Sequence, residues 1–255
     1  MSEENKISLG KKKKEKLQPG KMTKRTAASL FIILLLVPAT ILFAARYAEK
    51  SYYLVSVLII FYTMAPFFLV FEKRKPQARE LVLLAVMCAI AVFSRAIFIW
   101  LPHFKPLVAI VMITGVAFGA ESGFLAGAVS GFVSNFLFGQ GPWTPWQMFA
   151  FGIAGFLAGM CCRKGIISRR PVPLAVFGAA VVLLIVGPLL DTSTLFTMTA
   201  GMSKASAAAV YLSGLPVNAV HALATAVTLL LVSKAFFEKL DRVKRKYGMM
   251  EEEAL

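Results

Sequence analysis

From the amino end the chain alternates long apolar runs with short polar or charged breaks. A membrane-spanning helix needs about 20 apolar residues, somewhat fewer where interfacial groups flank it. That rule predicts spans near residues 27–46, 51–71, 79–101, 106–119, 122–139, 146–162, 171–190 and 206–234. The fourth and fifth are short and separated only by Gly119 to Gly123, which makes them either a tight hairpin or one long broken helix. The segment before the first span, ISLGKKKKEKLQPGKMTKR, is basic, has no apolar period and reads as a solvated tail. The apolar run from Ala27 to Ala45 exceeds the length of a usual signal-peptide core, so it reads as an anchor rather than a cleaved leader.

The spans fall into two groups. The first two are rich in Ile, Leu, Phe and Tyr, hold no ionisable residue at depth and read as lipid-facing. The charged break FEKRKPQAR (Phe71 to Arg79) follows, and beyond it small residues multiply. Gly115, Gly119, Gly123, Gly127 and Gly131 recur every fourth position, and Gly152, Gly155 and Gly159 continue the series. Small residues at this spacing let helix backbones approach closely. The predicted organisation is therefore a basic tail (1–26), a two-helix membrane extension (27–75), a six-helix core (76–239) and a short tail (240–255), in an all-α polytopic membrane protein.

Composition supports that class and charge orders it. Apolar residues make up 58% of the 255, more than a soluble domain can cover. The net charge of +15 would suggest nucleic acid in a soluble chain, but no basic-aromatic face is available. Most Lys and Arg lie in breaks and tails: with the amino end inside, twenty-three of the 28 fall in cytoplasmic segments and four outside, while Arg95 lies within a span. Such a bias supports eight spans with both termini cytoplasmic. One helix over 106–139 would put RKGIISRR on the wrong side, so charge selects the hairpin. Cys88, Cys161 and Cys162 have no metal-ligand spacing and read as small buried hydrophobes.

Polar side chains inside apolar runs are costly and therefore mark functional candidates. Arg95 sits in the outer part of its span, where it either meets a ligand phosphate or carboxylate or snorkels to the headgroups. Asn135 lies near the outer end of the next span but one, and Asp191 ends the seventh. Asn218 and His221 lie three apart and share one face of the last span, as ligand contacts or as a hydrogen-bonded packing pair. The loop FGQGPWTPWQ (Phe138 to Gln147) concentrates two Trp, two Pro, two Gly and two Gln at the outer mouth. Trp143 and Trp146 read either as interface anchors or, with the stiffening prolines and the amides of Gln140 and Gln147, as the lid of an extracellular pocket. No zinc-protease, serine-hydrolase, phosphate-loop or dinucleotide motif is present, and no nucleophile, base or metal cluster sits at depth, which points away from an enzyme and from any cofactor.

The stretch LVLLAVMCAIAV (Leu81 to Val92), with Ala85 and Ala89 one turn apart, makes a flat strip for another helix. With SRAIF (Ser94 to Phe98), PHFKP (Pro102 to Pro106), the glycine series and SNFLFGQGPWTPWQ (Ser134 to Gln147), residues 79–239 resemble the substrate-binding (S) component of energy-coupling factor transporters. Within that family the combination looks like the branch linked to cobalamin or related corrinoids. The resemblance implies a six-helix core that binds a vitamin outside and meets a transmembrane coupling subunit through the Ala85/Ala89 strip. It also implies two cytosolic ATPase partners and inward release when the core topples in the membrane. The two extra N-terminal helices depart from the family core. Competing readings are an independent secondary carrier, which would want coupling acids or inverted repeats at the midplane, and a non-transporting scaffold or receptor.

Overall fold

The computed structural model of the protein describes residues 31–36, 38–40, 42–43, 78–198 and 203–248. The span expected at 51–71 lies outside the described residues, and of the one at 27–46 only fragments are described, including a π-helical turn at Ile32–Leu36. The remainder is helical: α1 (Ala78–Ile97), α2 (Leu107–Phe118), α3 (Ala120–Phe138), α4 (Thr144–Arg163), α5 (Pro171–Val181), a π turn (Val182–Val186), α6 (Gly187–Met198) and α7 (Lys204–Lys246). Four stretches are long and apolar enough to cross a membrane, namely Ala78–Ile97, Thr144–Arg163, Pro171–Leu195 and Lys204–Lys246. The chain is a multi-pass membrane protein.

The hairpin expected between 106 and 139 forms around a single residue. Gly119 links α2 to α3 with φ +101, a left-handed backbone that a side chain would strain. The chain reverses so tightly that a Cβ on Gly123 would lie 2.6 Å from the Cα of Gly115. The four-residue glycine period is thus not one helical stripe. Gly115 and Gly123 face each other across the turn, and both press on α4, where a Cβ on Gly123 would stand 2.6 Å from the Gly155 carbonyl oxygen. A Cβ on Gly159 would reach within 2.8 Å of the Ala120 Cα. At these contacts backbone meets backbone with no side chain between, which maximises dispersion where lipid supplies no hydrophobic drive between helices.

The result is a layered bundle. Eleven of the 12 residues of α2 are buried, and α4 is buried along most of its length, so these two form the centre. Helices α1, α5 and α7 wrap the outside. Along α1, Leu84, Met87 and Ala91 face inward, while Leu81, Val82, Ala85, Val86, Ala89 and Phe93 stay open. The π turn between α5 and α6 has a local cause. Pro188 has no N–H and its ring clashes with the carbonyl of residue 184, so the preceding turn widens and the Gly187 N–H reaches back to the Val182 carbonyl.

At the basic end, side chains tie the helix termini together. Arg169 pairs with Asp241 at 3.1 Å and lies 4.6 Å over the Phe237 ring. Lys244 donates to the Ala117 carbonyl and lies over Phe118, placing a cation at the C-terminus of α2 as the helix dipole favours. Arg79 donates to the Tyr247 carbonyl at 3.4 Å. The starts of α1 and α3, the α4–α5 link and the end of α7 therefore share one end of the bundle. The α1–α2 link, the α3–α4 loop and the start of α7 lie at the other, called here the far end.

Gly123→Ala and Gly155→Ala each force backbone apart from backbone, and we expect each to destabilise the protein by at least about 1–3 kcal/mol. Val86→Ala, on the open face of α1, is the control and is expected to leave the unfolding midpoint in detergent nearly unchanged. An unchanged midpoint for both glycine variants would refute the packing argument.

Candidate functional site

By length α2 spans about 18 Å and α3 about 28 Å, so the α1–α2 link enters the bundle short of the far end of α3. Within that link Lys105 donates to the carbonyls of Phe98 at 2.5 Å and Leu101 at 3.2 Å. Its Nζ reaches to 5.5 Å from the ring of Phe138, the last residue of α3. Burial and then the nearby Arg95 hold the Lys105 ammonium below its ordinary pKa.

Arg95 turns inward and does not snorkel. Its Nη1 donates to Ser134 Oγ at 2.5 Å and to Asn135 Oδ1 at 3.0 Å, and its guanidinium stacks 4.4 Å over Phe138. Ser134 and Asn135 are almost completely buried. Asn135 passes the network on, with Nδ2 donating to Thr144 Oγ1 at 3.1 Å. The Thr144 hydroxyl also accepts from the Gly141 N–H and donates to Gln140 Oε1, while Gln140 Nε2 donates to the Phe132 carbonyl. Arg95, Asn135 and Gln140 are thus one network, stapling α1 to the end of α3 and to the loop before α4. Ser134 and Thr144 were not singled out from sequence. Their signal was weak, because single hydroxyls in apolar runs usually bond their own helix backbone.

The loop divides its two tryptophans. Trp143 folds over its own turn, its ring packed so closely on Gly141 that a Cβ there would lie 2.5 Å from it, and its Nε1 donates to the Gly139 carbonyl at 3.4 Å. Trp146 is 7% exposed and belongs to a core cluster with Phe124, Phe149, Ile153 and Phe156. The exposed interfacial tryptophan is Trp100 in the α1–α2 link, 89% exposed. Gln147 keeps its Oε1 buried and without a hydrogen-bond partner among the described residues.

The remaining candidates lie on α7. Asn218 is buried and donates to Asp191 Oδ2 at 2.8 Å across the seam with α6, where a Cβ on Gly187 would press against its amide. That bond binds it to helix packing. His221, one turn further along, meets the His103 ring at 6.3 Å between centroids and lies within electrostatic reach of Arg95 and Lys105. His103 holds φ +59, a left-handed backbone that costs a non-glycine residue about 1–2 kcal/mol. The structure therefore gathers Arg95, Asn135, Gln140 and His221 at the far end with Lys105 and His103, places Asn218 at the α6–α7 seam, and sets Ala85 and Ala89 apart on the open face of α1. No group of three or more metal-ligating side chains forms among the described residues.

Asn135→Ala would leave Arg95 and Thr144 short of partners in a buried network. We expect a loss of about 1–3 kcal/mol in stability, read by thermal unfolding of the purified protein. A variant as stable as wild type would show the network to be dispensable for folding.

In comparison with known proteins, residues 75–237 fit the family model described as "ECF-type riboflavin transporter, S component". No curated protein and no solved structure matches. The matched region contains α1 to α6 and most of α7, well over half of the chain. The chain belongs to the S-component family of ECF-type transporters.

Proposed function

We propose that this protein is the ligand-binding membrane subunit of a vitamin importer, that it takes its ligand at the far end, and that this end faces outside. The observation that carries the reading is the far-end network of Arg95, Ser134, Asn135, Gln140 and Thr144 in a chain of S-component type. A polar network at the membrane level is expensive unless it serves a ligand or a fold, and here free capacity remains beside it. Gln147 Oε1 is buried without a donor among the described residues, which a ligand amide or imide N–H would satisfy. The distribution of Lys and Arg between the links supports the orientation.

For the ligand we propose a corrinoid or a corrinoid precursor, on the likeness of FGQGPWTPWQ and its neighbours to the cobalamin-linked branch. Its amide-fringed ring would suit both Gln147 and the Trp143 face. The riboflavin description of the matched family supports a flavin as the second reading. The two ring systems absorb visible light differently, so the spectrum of the molecule that co-purifies with the protein separates them directly. Uptake would require a transmembrane coupling subunit and two cytosolic ATPases, because the chain has no nucleotide-binding motif. The open Ala85/Ala89 strip on α1 offers the coupling subunit a flat surface.

Two outcomes follow. Trp143→Ala and Gln147→Ala are each expected to weaken ligand binding by roughly 10- to 100-fold in folded protein, and unchanged affinity in both would move the pocket away from this loop. Ala85→Leu with Ala89→Leu is expected to abolish uptake in cells that carry the partner subunits while purified protein still binds ligand. Normal uptake by that double variant, or uptake by the chain alone, would contradict dependence on partners.

A further inference from the structure

Four basic side chains converge at the far end without an acidic counterpart. Arg95 and Lys105 approach the same Phe138 ring, to 4.4 and 5.5 Å, so their charges lie no more than about 10 Å apart. His103 and His221 meet beside them. The ion pair Arg169–Asp241 lies at the opposite end of the bundle, and among the described residues no carboxylate pairs with any of these four. Asp191 is committed to Asn218. In a membrane protein, two permanent cations such as Arg95 and Lys105 held close without a counter-ion repel one another and pay desolvation. The two imidazoles beside them add N–H donors, so a fold that keeps this group has left a place for an anion.

Donor capacity agrees. Arg95 spends only Nη1 on the protein, and its Nε and Nη2 have no hydrogen-bond partner among the described residues. Lys105 gives two hydrogen bonds and has a third N–H to offer. Neither imidazole of the His103–His221 pair is hydrogen-bonded among the described residues, and His103 is held beside His221 by a left-handed backbone. Among the described residues no third metal-ligating side chain joins the two histidines, and two permanent cations flank them, which opposes a metal cation.

We propose that Arg95, Lys105, His103 and His221 form an anion subsite that receives a phosphate group of the transported molecule. This rests on the reading of the far end as the ligand site but not on which ring system the ligand carries. Corrinoids and flavins both exist in phosphate-bearing and phosphate-free forms: cobinamide phosphate against cobinamide, and flavin mononucleotide against riboflavin. The subsite selects the phosphate-bearing member of either pair.

The test uses purified full-length protein in nanodiscs, titrated with all four compounds, together with Lys105→Gln and His103→Gly. Glycine accepts the left-handed backbone that His103 holds, so this change removes the imidazole without straining the link. In wild type the phosphate-bearing member of the pair that binds should be tighter by about tenfold or more. Both variants should lose most of that preference while their affinity for the phosphate-free member changes little, with thermal unfolding confirming the fold. Equal affinity within the pair, or a preference that survives both variants, overturns the subsite. If neither ring system binds, the vitamin reading fails separately. The subsite is then decided by inorganic phosphate, which should raise the unfolding midpoint of wild type over chloride at equal ionic strength but not that of Lys105→Gln; no phosphate-specific rise overturns it.

Discussion

The contact on which the bundle depends is the meeting of α2, α3 and α4 through bare backbone. Gly115 and Gly123 face each other across a one-residue turn, and Gly155 lies against both. Lipid tails are as apolar as leucine, so helices in a bilayer gain little by hiding apolar side chains from it and are held instead by close packing. Side chains at these positions would push the three helices apart by the width of a methyl group or more. With glycine, α2 is enclosed on nearly every side although it is only 12 residues long. That enclosure lets so short an element sit at membrane depth, and its shortness draws the α1–α2 link down toward the end of α3 and toward His221 inside α7.

What happens at the far end follows from that geometry. Lys105 and His103 ride on a link that the short helix holds low, so they meet Arg95 on α1, Phe138 on α3 and His221 on α7. Asn135 is the node of the resulting network, accepting from Arg95 and donating to Thr144, and so it joins three elements with one buried amide. The two ends of the molecule treat charge differently. At the basic end cations are spent on carbonyls, aromatic faces and a carboxylate, which holds helix termini in place. At the far end the hydrogen bonds of Arg95 and Lys105 to the described residues go to neutral hydroxyl, amide and carbonyl groups.

Much of this was legible in the sequence. Apolar run length placed α1 to α4 within a few residues of where they lie and α5 with α6 as a single run, while α7 continues past the expected 234 to Lys246. A spanning helix needs a characteristic number of apolar residues, but a helix may continue beyond them. The location of basic residues chose the hairpin at Gly119 over a single broken helix, and the structure shows the reversal. Arg95 and Asn135 stood out because a polar group inside an apolar run must have a reason, and they are hydrogen-bonded to each other.

Other features needed the tertiary structure. Period alone presented the glycines as one ladder, whereas the chain reverses within it, and Gly115 and Gly123 become opposing faces rather than neighbours on a stripe. Trp143 and Trp146 looked equivalent in FGQGPWTPWQ, yet Trp143 stays in the loop and Trp146 is in the core, because α4 begins between them at Thr144 and its first turn points inward. Asn218 and His221 share a helical face, but α6 claims the first while the link before α2 meets the second. Composition and spacing determined that the chain is a multi-pass helical membrane protein and which polar residues would be costly. Which of those residues meet was decided by helix lengths, one-residue turns and backbone contacts that bring together segments far apart in the chain.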